Sequence, residues 1–220
     1  MGRVSALRNV RLFYTKTGRM KFLSQLDMNR LMTRVIRKSG LPVWYTEGFN
    51  QHIYINYAVP LSLGFEGLYE IMDIRITDDE PAPENIVKQL NSAAPDGIKF
   101  LRAAEPVKPT VEIAFAEYEL VFPDEGDDIY RDLREFLSQK SVVCLKKDKK
   151  GRLKEFDIIP KIRKTEITEN GARLILSAGN EGNLNPSLLL SAFFENTGRE
   201  PVFCEVKRLM LFDRELKPFV

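Results

Sequence analysis

The order of strand-like and helix-like segments constrains the fold of this chain more than any other feature of its sequence. Alternating apolar residues rich in β-formers predict strands, and apolar residues at helical spacing between capping residues predict helices. The predicted elements, in chain order, are a strand at 9–14, a helix at 24–39, strands at 53–59 and 69–77, a helix at 83–93 and a strand at 98–103. Residues 20–23 are expected to extend the first strand or pair back on it, and 43–45 to form a short strand. The main order is therefore β-α-β-β-α-β.

The second half of the chain nearly repeats this order after a linker at 105–110, which contains two prolines. Its predicted elements are strands at 112–122, 142–146, 156–165, 172–178 and 203–212, with helices at 127–139 and 186–197. Because β-α-β-β-α-β is the ferredoxin-like arrangement, we predict an α+β protein of two tandem ferredoxin-like halves with antiparallel sheets. The predicted halves are residues 1–105 and 106–220. A single α+β domain with one shared sheet is the alternative.

The helix at 24–39 has a distinct start, a distinct end and two different sides. Ser24 can cap it while Asp27, three residues on, reaches back, and Gly40 with Pro42 ends it. On a helical wheel, the apolar residues fall within an arc of about 140° and the basic residues within an opposing arc of about 100°. The apolar set is Met28, Leu31, Met32, Val35 and Ile36, and the basic set is Arg30, Arg34, Arg37 and Lys38. One side is thus expected to pack on a core and the other to face outward.

Positive charge is concentrated at the start of the chain. Residues 1–50 hold ten Lys/Arg against two acidic residues, a net +8, whereas the whole chain is only +2 and the remainder is therefore −6. Such asymmetry indicates a surface that faces a polyanion. The predicted nucleic-acid contacts are Arg30, Arg34 and Arg37, with Arg19 and Lys21 in support, and Arg11 and Lys16 are expected beside them. The alternative is an ordinary solvated helix face.

Aromatic residues are interleaved with these basic residues, and an exposed aromatic ring can stack on an unpaired base. They are Phe13, Tyr14, Phe22, Trp44, Tyr45 and Phe49, most of which are expected in the core. A second basic stretch, residues 140–164, has a net charge of +7. Its centre, KKDKKGR, is expected to be an exposed hairpin tip, and Lys147, Lys150 and Arg152 are predicted to contact nucleic acid. A solubilising turn is the alternative.

Metal-centred chemistry is not expected in this chain. Two cysteines, Cys144 and Cys204, and one histidine cannot supply the usual ligand sets of zinc or iron–sulfur sites, so no metal or cofactor is predicted. Both cysteines are expected to be small buried residues, which fits a reducing cytoplasm. No apolar run approaches the roughly 20 residues that cross a bilayer, so no membrane association is predicted.

The sole histidine, His52, lies in the polar loop 47–52. It could pair with Asp27 or Glu47 as a general base, or donate to a phosphate. Together with Asn50, these residues are the candidates for an active site or a partner contact. A hydrogen-bonded structural role for His52 is the alternative, and no nucleophile is evident beside it. We therefore assign no catalytic residue.

Three motifs carry a family resemblance: KxGRMKFLSQLD, RxxRKSGLPVWYTEGFNQH and PLSLGFEGxYE. They resemble the radical SAM-linked bacterial protein family, an uncharacterised domain found beside or fused to radical SAM enzymes. His52 matches a histidine of the family pattern, whereas Gln25 and Gln51 replace a family histidine and proline. Gln25 can hydrogen-bond but cannot shuttle a proton. The resemblance implies partnership with a radical SAM enzyme that itself holds the iron–sulfur cluster and adenosylmethionine.

These observations together predict a non-catalytic accessory subunit in the cytoplasm. It is expected to bind a structured RNA, tRNA or rRNA, and present it to a radical SAM enzyme. One alternative is a protein–protein adaptor for that enzyme without RNA contact. Another is a small ribonuclease that depends on His52.

Overall fold

The computed structural model describes residues 7–77, 81–147, 151–179 and 182–220. The described part of the chain is mixed α+β, with four α-helices and strands that pair antiparallel, as the sequence predicts. It divides into two compact units, one up to Glu112 and the other Ile113–Phe219. Within these residues, no helix has the length and apolar character needed to cross a membrane.

The first unit contains four strands and two α-helices. Its elements are β1 (Arg8–Lys16), α1 (Gln25–Ser39), β2 (Ile55–Tyr57), β3 (Glu66–Ile76), α2 (Pro83–Ala93) and β4 (Ile98–Ala104). The strands lie in the order β4-β1-β3-β2, and every neighbouring pair is antiparallel. In this register Leu12 of β1 lies opposite Met72 of β3 and Ala103 of β4.

Helix α1 begins and ends where its capping residues predict. The Ser24 hydroxyl accepts a hydrogen bond from the Asp27 backbone N–H at 3.2 Å and donates to the Asp27 carboxylate at 2.7 Å. Gly40 ends the helix in the left-handed conformation with φ 75°, which glycine adopts without a steric penalty. Met28 and Met32 are buried with Val35 and Ile36, so the predicted apolar side faces the core.

The core of this unit lies between one face of the sheet and the two helices. Even-numbered residues of β1, such as Val10 and Leu12, join Met72 and Ile74 of β3 and Leu90 of α2 in one buried cluster. Alternation along a strand sends the odd-numbered residues of β1 to the opposite face of the sheet. Burial of each large apolar side chain contributes about 1.5–3 kcal/mol. The strand predicted at 9–14 is confirmed, and one of its faces packs in the core with the two helices.

Two short predicted strands of this unit are wrong. Residues Gly18–Phe22 form a 3₁₀ helix instead of extending β1. The chain turns there because Gly18 has φ 57°, and because the Thr17 backbone N–H donates to the Gly97 carbonyl at 2.8 Å. Val43 and Tyr45 make only isolated bridges, with Ile76 and Ile53.

The second unit contains six strands and two α-helices. They are β5 (Phe115–Val121), α3 (Asp127–Leu137), β6 (Val143–Lys147), β7 (Leu153–Asp157), β8 (Ile162–Ile167), β9 (Ala172–Ser177), α4 (Pro186–Thr197) and β10 (Glu205–Phe212). Four strands lie in the order β10-β5-β9-β8, while β6 and β7 form a separate two-stranded sheet. Counted in chain order, β5 is the first of these four strands, β8 the second, β9 the third and β10 the fourth. Their order in the sheet is therefore fourth-first-third-second. The strands β4-β1-β3-β2 of the first unit lie in the same order.

The single strand predicted at 156–165 is two strands in the structure. A 3₁₀ turn, Ile159–Lys161, separates β7 from β8 and contains Pro160. The Asp157 carboxylate accepts hydrogen bonds from the backbone N–H groups of Val142 at 3.0 Å and Ile159 at 3.1 Å. These bonds hold the base of the β6–β7 hairpin and redirect the chain into β8.

Candidate nucleic-acid interface

The basic side of α1 is open to solvent. Arg30, Arg34 and Arg37 are all exposed, on the side of the helix away from its buried residues. Arg30 contacts the Asp27 carboxylate at 3.3 Å, with side chains 69% and 49% exposed. An ion pair this exposed contributes little, so Arg30 can exchange it for another anion. Arg34 and Arg37 form no ion pair with any residue that the structure describes.

Arg37 connects the C-terminal end of α1 to an aromatic residue. Its guanidinium carbon lies 5.8 Å from the ring centroid of Tyr45, which is exposed. Such a contact contributes about 0.5–1 kcal/mol at an exposed site. The Tyr45 ring therefore lies next to the Arg37 guanidinium as a stacking surface.

Tyr45 begins a loop that presents the sole histidine. The backbone N–H of Thr46 donates to the His52 carbonyl at 2.8 Å, and the His52 N–H donates to the Thr46 hydroxyl at 3.2 Å. Phe49 and Asn50, at the tip between them, are exposed. The loop therefore carries a polar and aromatic tip on a hydrogen-bonded base.

The imidazole of His52 is held on its Nδ1 side. Nδ1 lies 3.0 Å from the Asn50 carbonyl oxygen and 3.0 Å from the Thr46 hydroxyl. It donates to the carbonyl in one tautomer and accepts from the hydroxyl in the other. His52 is exposed, so Nε2 can form a hydrogen bond with a ligand.

The structure does not bring His52 together with either predicted acid–base partner. Among the described residues, His52 contacts Thr46 and Asn50, and neither Asp27 nor Glu47 forms a hydrogen bond or ion pair with it. The Asp27 carboxylate is instead held by the Ser24 hydroxyl and Arg30. Asp27 therefore acts as a capping residue of α1.

The supporting basic residues Arg19 and Lys21 lie in the 3₁₀ helix that precedes α1. Arg19 is exposed, and the Lys21 ammonium lies 5.4 Å from the Phe22 ring centroid. The Lys21 carbonyl accepts a hydrogen bond from the Gly64 N–H at 2.8 Å, which holds the 60–66 segment beside this helix.

Exposed apolar side chains surround this helix, a feature that the sequence analysis did not identify. Phe22, Leu26 and Leu63 are 65%, 60% and 63% exposed. We call these three residues the apolar patch. A sequence signal for it exists, because Leu26 lies outside the apolar arc of α1 and Phe22 precedes that helix.

Two basic residues that were expected beside α1 do not contribute to its outer surface. Arg11 is 1% exposed, and it donates to the Asp73 carboxylate from Nε at 2.8 Å and from Nη2 at 3.0 Å. Lys16 is also buried, and its ammonium donates to the Leu23 carbonyl at 3.1 Å. The expectation was wrong because both side chains are buried within the folded first unit. Arg11 and Lys16 stabilise the fold.

The second predicted basic stretch is described only in part. Arg152 is exposed beside the start of β7. Lys150 and the side chain of Lys147 lie outside the described residues. The described residues of the β6–β7 hairpin also expose Val143, Leu145 and Leu153.

The two cysteines are separate, partly buried thiols. Both are half-buried, and burial raises the pKa of the Cys204 thiol to about 12. A thiol with a raised pKa stays protonated and is a poor nucleophile. Within the part of the chain that the structure describes, no three His, Cys, Asp or Glu side chains are grouped to hold a metal ion.

Comparison with known proteins identifies a family. No curated protein matches this sequence. The solved structures to which the chain is similar include two of low sequence identity. An unknown protein from Galdieria sulphuraria has 13% identity and a TM-score of 0.28, covering 92% of this chain and 99% of that chain. A putative glycine cleavage system transcriptional repressor has 12% identity and a TM-score of 0.27, covering 96% and 100%. A family model described as "Uncharacterized protein conserved in bacteria (DUF2344)" matches residues 9–186, and the chain belongs to that family.

Proposed function

We propose that this protein is a non-catalytic accessory subunit that binds a structured RNA, such as tRNA or rRNA, and presents it to a radical SAM enzyme. The observation that carries the proposal is the row of exposed guanidinium groups on α1. Arg30, Arg34 and Arg37 lie on one side of the helix, and only Arg30 contacts a carboxylate among the described residues. At 1.5 Å of rise per residue the row extends for about 10 Å, which is long enough to contact successive phosphates.

Electrostatic contacts of this kind have a measurable signature. Each phosphate that is neutralised releases counterions, so log K falls with log salt at a slope of about −0.7 per contact for a single strand. Three arginine contacts therefore account for a slope of about −2. The exposed rings of Tyr45 and Phe49 add surfaces on which unpaired bases can stack. The exposed His52 Nε2 can form a hydrogen bond with a ribose hydroxyl or a base.

The link to a radical SAM enzyme is supported by the resemblance of the motifs at 16–27, 34–52 and 60–70 to the radical SAM-linked family. In this proposal the partner holds the iron–sulfur cluster and the adenosylmethionine, and the complex works in the cytoplasm. We also propose that the two compact units are tandem ferredoxin-like halves. Their shared fourth-first-third-second strand order supports that assignment.

Filter binding of purified protein to total cellular tRNA and rRNA, between low and moderate salt, tests the RNA-binding role. The variant carries Arg30→Gln, Arg34→Gln and Arg37→Gln together. We expect at least a tenfold loss of affinity at low salt and a salt slope that is less steep by about 2.

A matched control removes the same charge elsewhere. It carries Arg102→Gln, Arg131→Gln and Arg173→Gln, three exposed arginines outside α1. We expect this control to keep the wild-type salt slope. If the α1 variant also keeps the wild-type affinity and slope, the RNA-binding proposal is wrong.

A protein–protein adaptor is the second candidate, and the apolar patch is the observation that favours it. Phe22, Leu26 and Leu63 are three large exposed apolar side chains, and the hydrogen bond from the Gly64 N–H to the Lys21 carbonyl joins the segments that carry Phe22 and Leu63. Apolar surface of this kind marks interaction sites. Pulldown with the purified radical SAM enzyme distinguishes the two functions. Binding that survives nuclease, is lost in Phe22→Ala/Leu26→Ala and is kept in the triple arginine variant selects the adaptor.

A further inference from the structure

The sheet of the first unit has a polar face on the side away from α1 and α2. Asn9 of β1 lies opposite Arg75 of β3, and Arg11 lies opposite Asp73, so the four side chains share this face. The segment 106–109 lies over them, and together they line a cavity of about 330 Å³. Cavities that bind small molecules occupy about 300–1,000 Å³. This one is therefore large enough for a small ligand.

Arg75 of β3 lines the cavity and has no carboxylate partner among the described residues. Arg11 and Asp73 form a two-bond ion pair and neutralise each other. Arg75 donates from Nε to the Asn9 side-chain oxygen at 3.2 Å and forms no ion pair with a described residue. Its terminal nitrogens keep four N–H donors. Lys108 also lines the cavity. The Arg75 charge, which no described carboxylate pairs with, suits the cavity to an anion.

The Arg75 guanidinium is held in place by aromatic rings. Its central carbon lies 4.4 Å from the ring centroid of Tyr54 and 5.2 Å from that of Trp44. An immobilised guanidinium loses little conformational freedom when a ligand binds. Its planar fork matches the two oxygens of a carboxylate or phosphate. This arrangement is a pre-organised receptor for an oxyanion.

We propose that this cavity binds a small metabolite whose carboxylate or phosphate group pairs with Arg75. At about 30 Å³ per water-sized group, the volume holds roughly eleven such groups. The ligand is therefore of the size of pyrophosphate or citrate. The site is independent of the RNA-binding proposal, because it lies on the face of the sheet away from α1.

Trp44 is the only tryptophan of the chain, and its distance from Arg75 makes it a reporter of ligand binding. The full chain is titrated with inorganic phosphate, pyrophosphate and citrate at ionic strength held constant with sodium chloride. Trp44 emission and calorimetry are followed in parallel. We expect saturable binding of at least one probe, and the comparison of pyrophosphate with citrate separates phosphate from carboxylate ligands.

Three variants decide whether Arg75 is the receptor. We expect Arg75→Gln to weaken binding at least tenfold and Arg75→Lys to weaken it less, because lysine keeps the charge without the planar fork. Arg102→Gln is the matched control: Arg102 lies 4.2 Å over the Phe13 ring and does not line this cavity. If Arg75→Gln does not fold, as judged by circular dichroism, Arg75→Lys carries the comparison. Failure of all three probes to saturate by either readout, or equal losses in the Arg75 and Arg102 variants, overturns the proposal.

Discussion

Removal of the Asp73 carboxylate is expected to destabilise the first unit strongly, because it breaks the ion pair of a buried arginine. The Arg11 side chain is 1% exposed and that of Asp73 is 15% exposed. Breaking a buried ion pair costs about 3–5 kcal/mol. The partial exposure of Asp73 places the expected loss for Asp73→Ala at the lower end, about 3 kcal/mol.

Urea unfolding followed by Trp44 emission measures this loss directly in the first unit. With a slope of roughly 2 kcal/mol per molar urea, a loss of about 3 kcal/mol lowers the midpoint by about 1.5 M. Replacing both members, as in Arg11→Met/Asp73→Ala, removes the uncompensated charge and is expected to recover much of the loss. The control Arg30→Ala breaks an exposed pair and is expected to cost less than about 1 kcal/mol.

The urea midpoints of Asp73→Ala and Arg30→Ala show whether the buried Arg11 depends on its ion pair. If Asp73→Ala lowers the midpoint no more than Arg30→Ala does, the Arg11 guanidinium is solvated after the loss of its partner. The double variant then has no deficit to recover.

Three further predictions concern other parts of the molecule. Gly97→Ala is expected to lower the free energy of unfolding by about 1–3 kcal/mol, because Gly97 has φ 88° and an added Cβ would lie 2.5 Å from the Thr17 carbonyl oxygen. Urea unfolding monitored by Trp44 emission measures this loss, and an unchanged midpoint contradicts the prediction. Hydrogen bonds, chiefly from the Ser141 hydroxyl, lower the pKa of Asp157, so its stabilisation is present above the ordinary aspartate pKa and is lost as the pH falls through the lowered value. Asp157→Asn should therefore flatten the acid limb of stability against pH, as seen by circular dichroism, and an unaltered limb argues against this role. The wild type and His52→Ala are both expected to leave RNA intact in metal-free buffer. Cleavage by the wild type that is abolished in His52→Ala would instead establish a ribonuclease.

Local sequence patterns predicted the elements whose boundaries depend on local chemistry. The bounds of α2 and α4 match the predictions, and α1 lies between Ser24 and Gly40 as predicted. Caps and apolar periodicity act within a few residues, so they can be read from a short window of sequence. The strand at 156–165 was predicted as one element, although Pro160 marks the 3₁₀ turn that divides it.

The outward side of α1 was also predictable, since the same periodicity that buries Met28 and Met32 exposes Arg34 and Arg37. The lack of pairing between His52 and Asp27 was not predictable, because a helix terminus and a loop share no local pattern that sets their distance. Exposure of the apolar patch depends likewise on how the 60–66 segment meets the 3₁₀ helix.

Residue order and side-chain chemistry alone thus establish the helices with their caps, the α+β class and the charge of the helix α1. The burial and pairing of Arg11 were decided by the tertiary structure. Its partner Asp73 is 62 residues away in the sequence and becomes its neighbour only through the register of β1 with β3. A shift of that register by one residue would send every side chain of the strand to the other face of the sheet. The Arg75 cavity depends on the same register and on the path of residues 106–109, which no short-range pattern specifies.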